Sequence, residues 1–377
     1  MATRPSEILY LAFQRATQDK SHSIVAEPDL REQIEFIAYN PQNRACVRFI
    51  LACSLAKIHL PEVDIRKPYT EIGDHDAYSG RTYDERYVLD FVLEHELPCN
   101  MTTAFLTPAF RNRNITLTPD IDLVGRPPAV YTATLQLLDA VHSERLSAED
   151  LLAETLRWLV IIRDEKRDRM RSLLAALKAS KGTTSLSAEG IISLIEQHAK
   201  LKNSSRLPVL IVAAVYKAAQ DFLGEQVLPL ESHNAADKQT GALGDLEITL
   251  IDDHQVVTCY EMKAKQITKD DIDIALDKII HYGTHIHNYI FITTQSIDQE
   301  VTEYAARMYD RTGGIEIAVL DCISFLRYFL HLFYRIRIQF LEAYQTLLLS
   351  ESESAVSQPL KEAFLAMRHA AESNESD

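Results

Sequence analysis

Apolar and polar residues alternate in two short runs between Gly244 and Lys265, in the sequence GDLEITLIDDHQVVTCYEMKAK. Alternation with a period of two residues is typical of β-strands that are buried on one face. The polar stretch 252–254 separates the two runs, as the turn of a hairpin would. The pattern therefore predicts two antiparallel strands, whose apolar positions include Leu246, Ile248 and Leu250 in the first and Val257 and Cys259 in the second.

The pattern after this hairpin alternates between helical and strand periods. Thr268 is a suitable N-cap, and the apolar residues that follow it recur at helical spacing. The predicted elements are a helix over Thr268–Tyr282, a strand over Asn288–Thr294, a second helix over Ser296–Arg311 and a strand over Ile315–Leu320. Short connections between such elements predict an α/β arrangement with crossover connections.

The first half of the chain has a different character. Helical patterns cover residues up to about Tyr39 and the stretches Asn43–His59 and Ala129–Ala179, and the helix over Asn43–His59 is predicted to be amphipathic. Between them, Pro61–Arg126 is mostly loop, with one short helix near Tyr83–Glu96. Its aromatic content argues against disorder, and long ordered loops are usually functional.

The stretch SKGTTSLS, residues 180–187, is the clearest linker in the sequence. We therefore predict a helical and loop-rich region over residues 1–183 and an α/β domain over residues 184–350. A C-terminal helix and an acidic tail are expected over residues 351–377. One long, mostly apolar helix is expected over Cys322–Leu349, where it could pack in the core, form a dimer interface, or do both.

Charged residues on the predicted hairpin give it a candidate chemistry. Asp245 and Glu247 share one face of the first strand, and Glu261 and Lys263 share one face of the second, because side chains two residues apart point the same way. If pairing brings these faces together, three carboxylates and one ammonium converge, which suits Mg²⁺ bound to a phosphate. The alternative is a charged exposed face in which Glu261 and Lys263 form a salt bridge.

This arrangement resembles the PD-(D/E)XK nucleases, in which a hairpin presents an Asp and then a (D/E)-x-K triplet. Asp245 matches the first acid, Glu261 the second and Lys263 the lysine, whereas Gly244 stands in place of the name-giving proline. The resemblance implies a restriction-endonuclease-like α/β core. It also implies that Asp245 and Glu261 bind Mg²⁺, that Glu247 contributes to a metal ion or orients water, and that Lys263 positions or activates the attacking water.

A narrower resemblance extends over most of the chain. The segments PYTEIGDHDAYSGRTYDERY, LPCNMTTAFLTPAFRNRN, SHNAADKQTGALGD, YEMKAK and NYIFITT are together similar to the SacI family of type II restriction endonucleases. This likeness implies a homodimeric, Mg²⁺-dependent enzyme that cuts double-stranded DNA at a short palindrome, and a cognate DNA methyltransferase in the same system.

The formal net charge of −15 is an objection to nucleic-acid binding, because affinity for DNA comes largely from Lys and Arg at phosphates. Charge is segregated along the chain, however. Six basic residues and three acids lie in Leu156–Ser172, whereas Glu351–Asp377 is acidic. Local basic surface is therefore expected, although a helix of this kind is also typical of an ordinary solvated face.

Side chains able to read bases occur in the loop-rich region. Arginine can donate two hydrogen bonds to guanine, and asparagine suits adenine. For any single residue, the alternative is that it bonds the carbonyl oxygens of a turn. The candidates for DNA contact are Arg81, Arg111, Asn112, Arg113 and Asn114.

Several other classes of protein are disfavoured. The five scattered cysteines indicate reduced thiols, and the sequence has no secretory signal and no apolar stretch long enough to span a membrane. A soluble, cytoplasmic protein is expected. Motifs for NTP-binding, dinucleotide-binding or serine-hydrolase chemistry are absent from the sequence. The alternatives to a restriction enzyme are a repair or recombination nuclease with little sequence preference and a non-catalytic DNA-binding protein on the same fold.

Overall fold

The computed structural model describes residues 4–40, 44–100, 102–111, 113–180, 186–230, 243–253, 255–282 and 286–374. The chain divides into two compact units, Met1–Asp168 and Arg169–Asp377. This division falls inside one long helix, Ala148–Ser180, ahead of the predicted boundary between residues 183 and 184. Most of the predicted linker, residues 181–185, lies outside the described residues.

The regular secondary structure of the first unit, in its described residues, is helical, as the pattern predicts. Its helices are α1 (Pro5–Gln18), α2 (Pro28–Tyr39), α3 (Ala45–His59), α4 (Gly80–Tyr83), α5 (Leu89–Glu94), α6 (Pro128–His142) and the N-terminal part of α7 (Ala148–Ser180). A π-helical turn, Asp84–Val88, joins α4 to α5, and short 3-10 turns lie at Thr70–Ile72 and Ala104–Leu106.

Helix α3 is more buried than the sequence indicates. Every residue from Ala45 to Ala56 is buried, so the helix is covered on all sides and is not amphipathic. The reason is its position, since α1, α4 and α6 all contact it. Arg48 projects from α3 into this core and is 1% exposed, which requires a buried partner. That partner is Asp84, whose Oδ1 accepts a hydrogen bond from Arg48 Nε at 2.5 Å.

The second unit is built on a five-stranded mixed sheet in the order β1-β2-β3-β4-β5. The strands are β1 (Glu225–Val227), β2 (Leu246–Leu250), β3 (Val256–Lys263), β4 (Asn288–Thr293) and β5 (Glu316–Asp321). β1, β2 and β3 are antiparallel neighbours, whereas β3, β4 and β5 run parallel to one another. The predicted hairpin and the two strands after it are confirmed, and the three-residue edge strand β1 is an addition.

Helices cover both faces of this sheet. They are α8 (Ala188–Ala199), α9 (Leu207–Leu223), α10 (Lys269–Tyr282), α11 (Gln299–Ala306), α12 (Met308–Thr312), α13 (Cys322–Leu332), α14 (Arg337–Ser350) and α15 (Gln358–Asn374). On one face, Leu246, Ile248 and Tyr260 join a core with α9, α13, α14 and α15. On the other, Cys259 and Tyr289 join a core with α10 and α11.

Two of the predicted helices are interrupted. The segment Ser296–Arg311 forms α11 and α12, and Gly313 ends α12 in the left-handed region with a φ of 75°. The single helix expected over Cys322–Leu349 is wrong, because Phe333 leaves the helical region at φ −107° and ψ 47° and a 3-10 turn follows. This break separates α13, which contacts α8, from α14, which lies along α9.

No helix in the described ranges is both long and apolar enough to cross a membrane.

Candidate active site at the β2–β3 hairpin

Strand register places the first two predicted acids side by side. Leu246 pairs with Tyr260 in the antiparallel ladder, so one further step sets Asp245 opposite Glu261 on the same face. The two strands are also joined at this point by a side chain, because the Met262 N–H donates to Asp245 Oδ2 at 2.7 Å. Asp245 is exposed, so the carboxylate lies at the solvent edge of the sheet.

Glycine is required immediately before Asp245. A Cβ atom built on Gly244 would lie 2.6 Å from the backbone oxygen of Tyr260, which is closer than such atoms approach in proteins. Proline in this position would need the β3 backbone to move. The departure from the pattern of the resembled nucleases therefore has a steric cause in this chain, and it leaves Asp245 in place.

Positive groups surround the Glu261 carboxylate. Lys263 Nζ donates to Glu261 Oε1 at 2.8 Å, and Lys278 Nζ from α10 lies 3.9 Å from Oε2. The buried Tyr289 hydroxyl of β4 donates to the same Oε2 at 3.2 Å. The Glu261 side chain remains 14% exposed and that of Lys263 25% exposed, so this cluster still faces solvent.

Glu247 is oriented differently from the other two acids. Its Oε1 accepts the backbone N–H of Leu243 at 2.7 Å, which directs it along its own strand toward the start of the hairpin. Over the described ranges, no three His, Cys, Asp or Glu side chains lie close enough together to hold a metal ion. The described residues therefore offer two acids set opposite each other by the register, Asp245 and Glu261, with Glu247 on the same strand face.

Helix α10 begins close to this pair. Thr268 and Asp271 cap it reciprocally, since the Thr268 N–H donates to Asp271 Oδ2 at 3.0 Å and the Asp271 N–H donates to Thr268 Oγ1 at 3.3 Å. Lys265 Nζ lies 3.3 Å from Asp271 Oδ1. Burial acts to raise the pKa of Asp271, but the Thr268 hydrogen bonds and the Lys265 ammonium outweigh it and lower the pKa.

A comparison with protein families identifies this region. Residues 183–294 match the model of the SacI restriction endonuclease C-terminal domain, from just before α8 to the end of β4. Over this segment, the chain is similar to a SacI-type restriction endonuclease domain. The match confirms the predicted SacI-like resemblance over these residues and supports a restriction endonuclease role. A search among curated proteins finds no match.

The acidic pair of the SacI-type domain offers a donor set that suits Mg²⁺. This ion prefers oxygen ligands and is commonly held by one or two carboxylates together with waters and substrate phosphates. Asp245 and Glu261 are two carboxylates on one face of the sheet, and both are reached from solvent. Because the rest of the shell comes from water and phosphate, a third protein carboxylate is not needed.

Cys259 is the thiol nearest to the acids of the SacI-type domain. It is fully buried between Glu247 and Glu261 on the same strand face. Burial raises the pKa of Cys259 to about 12, and the two carboxylates add to this effect. The thiol is therefore protonated at neutral pH and is a poor nucleophile.

The predicted DNA-contact residues have unequal surroundings in the first unit. Arg81 Nε donates to Glu85 Oε1 at 2.7 Å. Arg113 Nε donates to the carbonyl of Ala109 at 2.7 Å, so Arg113 has the alternative role, in which an arginine bonds a carbonyl oxygen of its own loop. The exposed side chain of Arg111 has no hydrogen-bond or ion-pair partner among the described residues. Asn114 is exposed and has a positive φ of 46°, and Asn112 lies outside the described residues.

The basic stretch of α7 is largely paired with protein groups. Arg157 bonds the buried Glu154, and Arg163 bonds Asp164 and the carbonyl of His95. Such pairing is typical of a structural helix face rather than of an open phosphate-binding surface.

Three residues beside the acidic pair were not singled out by the sequence reasoning: Asp271, Lys278 and Tyr289. On α10, Asp271 and Lys278 are seven residues apart and Ala275 lies between them. These three residues of α10 therefore lie on the helix face that packs against the sheet. The sequence signal that could have identified Asp271 and Lys278 is their position, because both are charged residues at the edge of the apolar face predicted for this helix. Tyr289 carries no such signal, because it is one aromatic residue in a buried strand.

Proposed function

We propose that this chain is a type II restriction endonuclease that hydrolyses phosphodiester bonds in double-stranded DNA at a short palindromic site, with Mg²⁺ as cofactor. The observation that supports it best is the placement of Asp245, Glu261 and Lys263 at one solvent-facing edge of the sheet, inside the segment that matches the SacI family. A repair nuclease and a non-catalytic DNA-binding protein are the competing functions.

We further propose that residues 184–350 form a PD-(D/E)XK nuclease domain. An antiparallel hairpin that leads into parallel strands, with a helix between β3 and β4, has the order expected for that core. The hairpin carries the acids at neighbouring positions of adjacent strands, as the resemblance implies.

In the proposed reaction Asp245 and Glu261 hold Mg²⁺, which would supply Lewis acidity to a water and to a phosphate oxygen when bound. Lys263 lies on the strand face of Glu261, to which its ammonium donates, and it positions the attacking water or activates it by favouring the hydroxide form, while the proton passes to solvent. Lys278 adds a second positive charge near Glu261, where it offsets charge that develops on the phosphate. Glu247 can contribute its second oxygen to a further ion while it bonds Leu243.

The attacking group is water, and no covalent intermediate forms. The described thiol beside the acids, Cys259, is buried and protonated at neutral pH. Phosphodiester hydrolysis then requires only that water attack in line with the leaving oxygen, while the cluster of Lys263 and Lys278 stabilises the added charge.

Sequence recognition is assigned to residues 1–183. Arg111 is the strongest candidate, because its exposed guanidinium has no partner among the described residues and is available for guanine or phosphate. Arg81, Arg113, Asn114 and Asn112 remain predicted contacts, of which Arg81 and Arg113 would first have to exchange their present hydrogen bonds.

A homodimer would place two sites on the two strands of a palindrome. Helix α13 and the turn after it expose Tyr328, Leu332 and Tyr334 at 72%, 61% and 50%, and aromatic residues are enriched in interfaces. We assign this surface to the dimer contact. A cognate DNA methyltransferase would protect the host sites.

The deciding experiment is incubation of the purified protein with a fully sequenced plasmid, in Mg²⁺ and in EDTA, followed by mapping of the product ends. Discrete Mg²⁺-dependent fragments that share one palindrome are expected. A smear would favour a repair nuclease instead. Binding without cleavage over a range of salt and metal concentrations would favour the non-catalytic protein, and Lys263→Ala serves as the control for a contaminating nuclease.

A further inference from the structure

We propose that Tyr289 is a positioning residue that fixes the spacing between the Asp245 and Glu261 carboxylates by tying the start of β2 to the face of β3. This inference rests on the proposed function, because the spacing matters for metal binding. Tyr289 lies on neither strand of the hairpin, and it is not one of the residues that the sequence analysis assigns to catalysis or metal binding.

The Tyr289 hydroxyl lies between two acceptors. It is 3.1 Å from the carbonyl oxygen of Leu243 and 3.2 Å from Glu261 Oε2. Leu243 is two residues before Asp245, and Glu261 is the residue that the register sets opposite Asp245. One hydroxyl therefore contacts both the chain that carries the first acid and the second acid itself.

Its surroundings hold the hydroxyl in this place. Tyr289 is 0% exposed, pairs with Cys259 in the parallel ladder, and has its ring 5.2 Å from that of Phe291 under helix α10. A ring packed in this way has few rotamers available, because protein cores are close-packed. The hydroxyl therefore has a fixed position, and its hydrogen bonds fix the positions of the Leu243 carbonyl and the Glu261 carboxylate.

Leu243 is held from a second side as well. Its N–H donates to Glu247 Oε1 at 2.7 Å, while its carbonyl accepts from Tyr289. Both backbone groups of this residue, which is 3% exposed, are therefore bonded to side chains instead of to a neighbouring strand. Glu247 and Tyr289 together determine where the chain enters β2, and with it where Asp245 lies.

The hydroxyl has one proton and two acceptors, so it bonds them alternately or shares the proton between them. Loss of the hydroxyl leaves the buried carbonyl of Leu243 without this donor. It also leaves Lys263 and Lys278 as the groups that attract the Glu261 carboxylate. Both changes move the acids relative to each other. The groups that orient metal ligands typically change metal affinity by 10- to 100-fold when they are removed.

The test is Tyr289→Phe, which keeps the ring and removes the hydroxyl. Mn²⁺ binding by the complex with a non-hydrolysable DNA duplex is measured by calorimetry, and hydrogen exchange of the segment 243–250 is measured in the metal-free protein. We expect Mn²⁺ to bind about tenfold more weakly and segment 243–250 to exchange faster. Tyr344→Phe is the matched control, since its hydroxyl is also buried and bonded, 2.9 Å from His198 Nδ1, in the same unit.

A second pair of variants separates positioning from metal ligation at Glu247. Glu247→Gln keeps an oxygen that can accept the Leu243 N–H, so hydrogen exchange of segment 243–250 should stay as slow as in the wild type, whatever its effect on Mn²⁺ binding. Glu247→Ala removes that acceptor and should behave like Tyr289→Phe.

The proposal is overturned if Tyr289→Phe matches the wild type in both Mn²⁺ affinity and exchange, or if Tyr344→Phe changes both as much. A wild-type protein that binds no Mn²⁺ and cuts no DNA would overturn the proposed function, and this inference with it. Those results are distinguishable, because the first requires a wild type that binds the metal.

Discussion

Asp84 in the first unit and Glu261 in the second are both carboxylates paired with a cation, and their surroundings differ in one respect. Asp84 is fully buried, and its oxygens accept from Arg48, from the Thr103 hydroxyl and from the Ala104 N–H. Glu261 also has several donors around it, yet it keeps a solvent-facing side at the edge of the sheet. The first carboxylate has no room for a ligand, and the second has.

The difference separates a structural ion pair from a candidate catalytic one. Burial is the largest influence on Asp84 and raises its pKa, against the hydrogen bonds from Thr103 and Arg48 that lower it. Such a pair costs desolvation and needs every partner in place. A site that must accept a metal and a phosphate needs charge that is held in position but still reached by solvent, as around Glu261.

The largest effect is expected at the buried pair of Arg48 and Asp84, which we call the closed pair. Arg48→Met leaves Asp84 buried without its cation, which should lower the free energy of unfolding by about 3–5 kcal/mol. Urea denaturation followed by circular dichroism measures it. Arg145→Met, at an exposed pair with Glu27, is the control and should cost far less. Equal losses in the two variants would contradict the distinction between closed and open pairs.

The pair of Lys263 and Glu261 faces solvent, and we call it the open pair. A substitution there should reduce cleavage and leave stability nearly unchanged. Lys263→Ala is expected to reduce single-turnover cleavage by about 10²–10³-fold, because one charge-stabilising donor is lost. Its melting temperature should change little, since Lys263 is partly exposed. Lys200→Ala, at another lysine–glutamate pair of the same unit, is the matched control. Normal cleavage by Lys263→Ala would remove this lysine from the proposed mechanism.

A third buried polar group extends the comparison to pH. His198 is fully buried, 2.9 Å from the Tyr344 hydroxyl and 3.0 Å from the Leu360 carbonyl, and burial lowers its pKa to about 4 from the ordinary 6.5. The unfolded chain binds this proton more readily, so the stability from a neutral His198 is complete above pH 6.5 and falls as the pH drops toward 4.

The expected loss over that range is about 3 kcal/mol, since one pKa unit corresponds to about 1.4 kcal/mol. Denaturation curves between pH 7 and pH 4 give the value, and His198→Gln should flatten the dependence. A pH dependence that stays unchanged in this variant would assign it to other groups.

The smallest effect is expected among the arginines of the loop-rich region. Arg111→Ala should weaken binding to the cognate site by about 1–3 kcal/mol if its guanidinium reads a base. Arg113→Ala should mainly affect stability, because Arg113 bonds the carbonyls of Ala109 and Pro108. Fluorescence anisotropy on cognate and scrambled duplexes measures both. The reverse result would exchange the two assignments.

The hairpin and its neighbours could be predicted because their signals are local. Alternation with a period of two indicates β2 and β3, and the Thr268 cap and apolar spacing indicate α10. The acids follow from the same pattern, since the alternation places them on one face.

The remaining features depend on contacts between distant parts of the chain. The burial of α3 on all sides comes from three packed helices, and the break at Phe333 comes from a backbone change that apolar composition does not reveal. Tyr289 reaches Leu243 across 46 residues of sequence. Glu247 bonds Leu243 instead of pointing toward Glu261. Alternation with a period of two shows which face a side chain occupies, but it does not show this orientation.

The packing of α15 bears on the order in which the protein matures during synthesis. Leu360, Phe364 and Leu365 belong to the same core as Leu246 and Tyr260 of the hairpin, although they follow it by roughly a hundred residues. Domains generally fold as units while the ribosome releases the chain from its N-terminus. The helical first unit can therefore fold early, whereas the sheet that carries the acids lacks part of its core until α15 emerges. Under the proposed assignment of functions to the two regions, we expect a nascent chain to acquire the means to recognise DNA before it acquires the means to cut it.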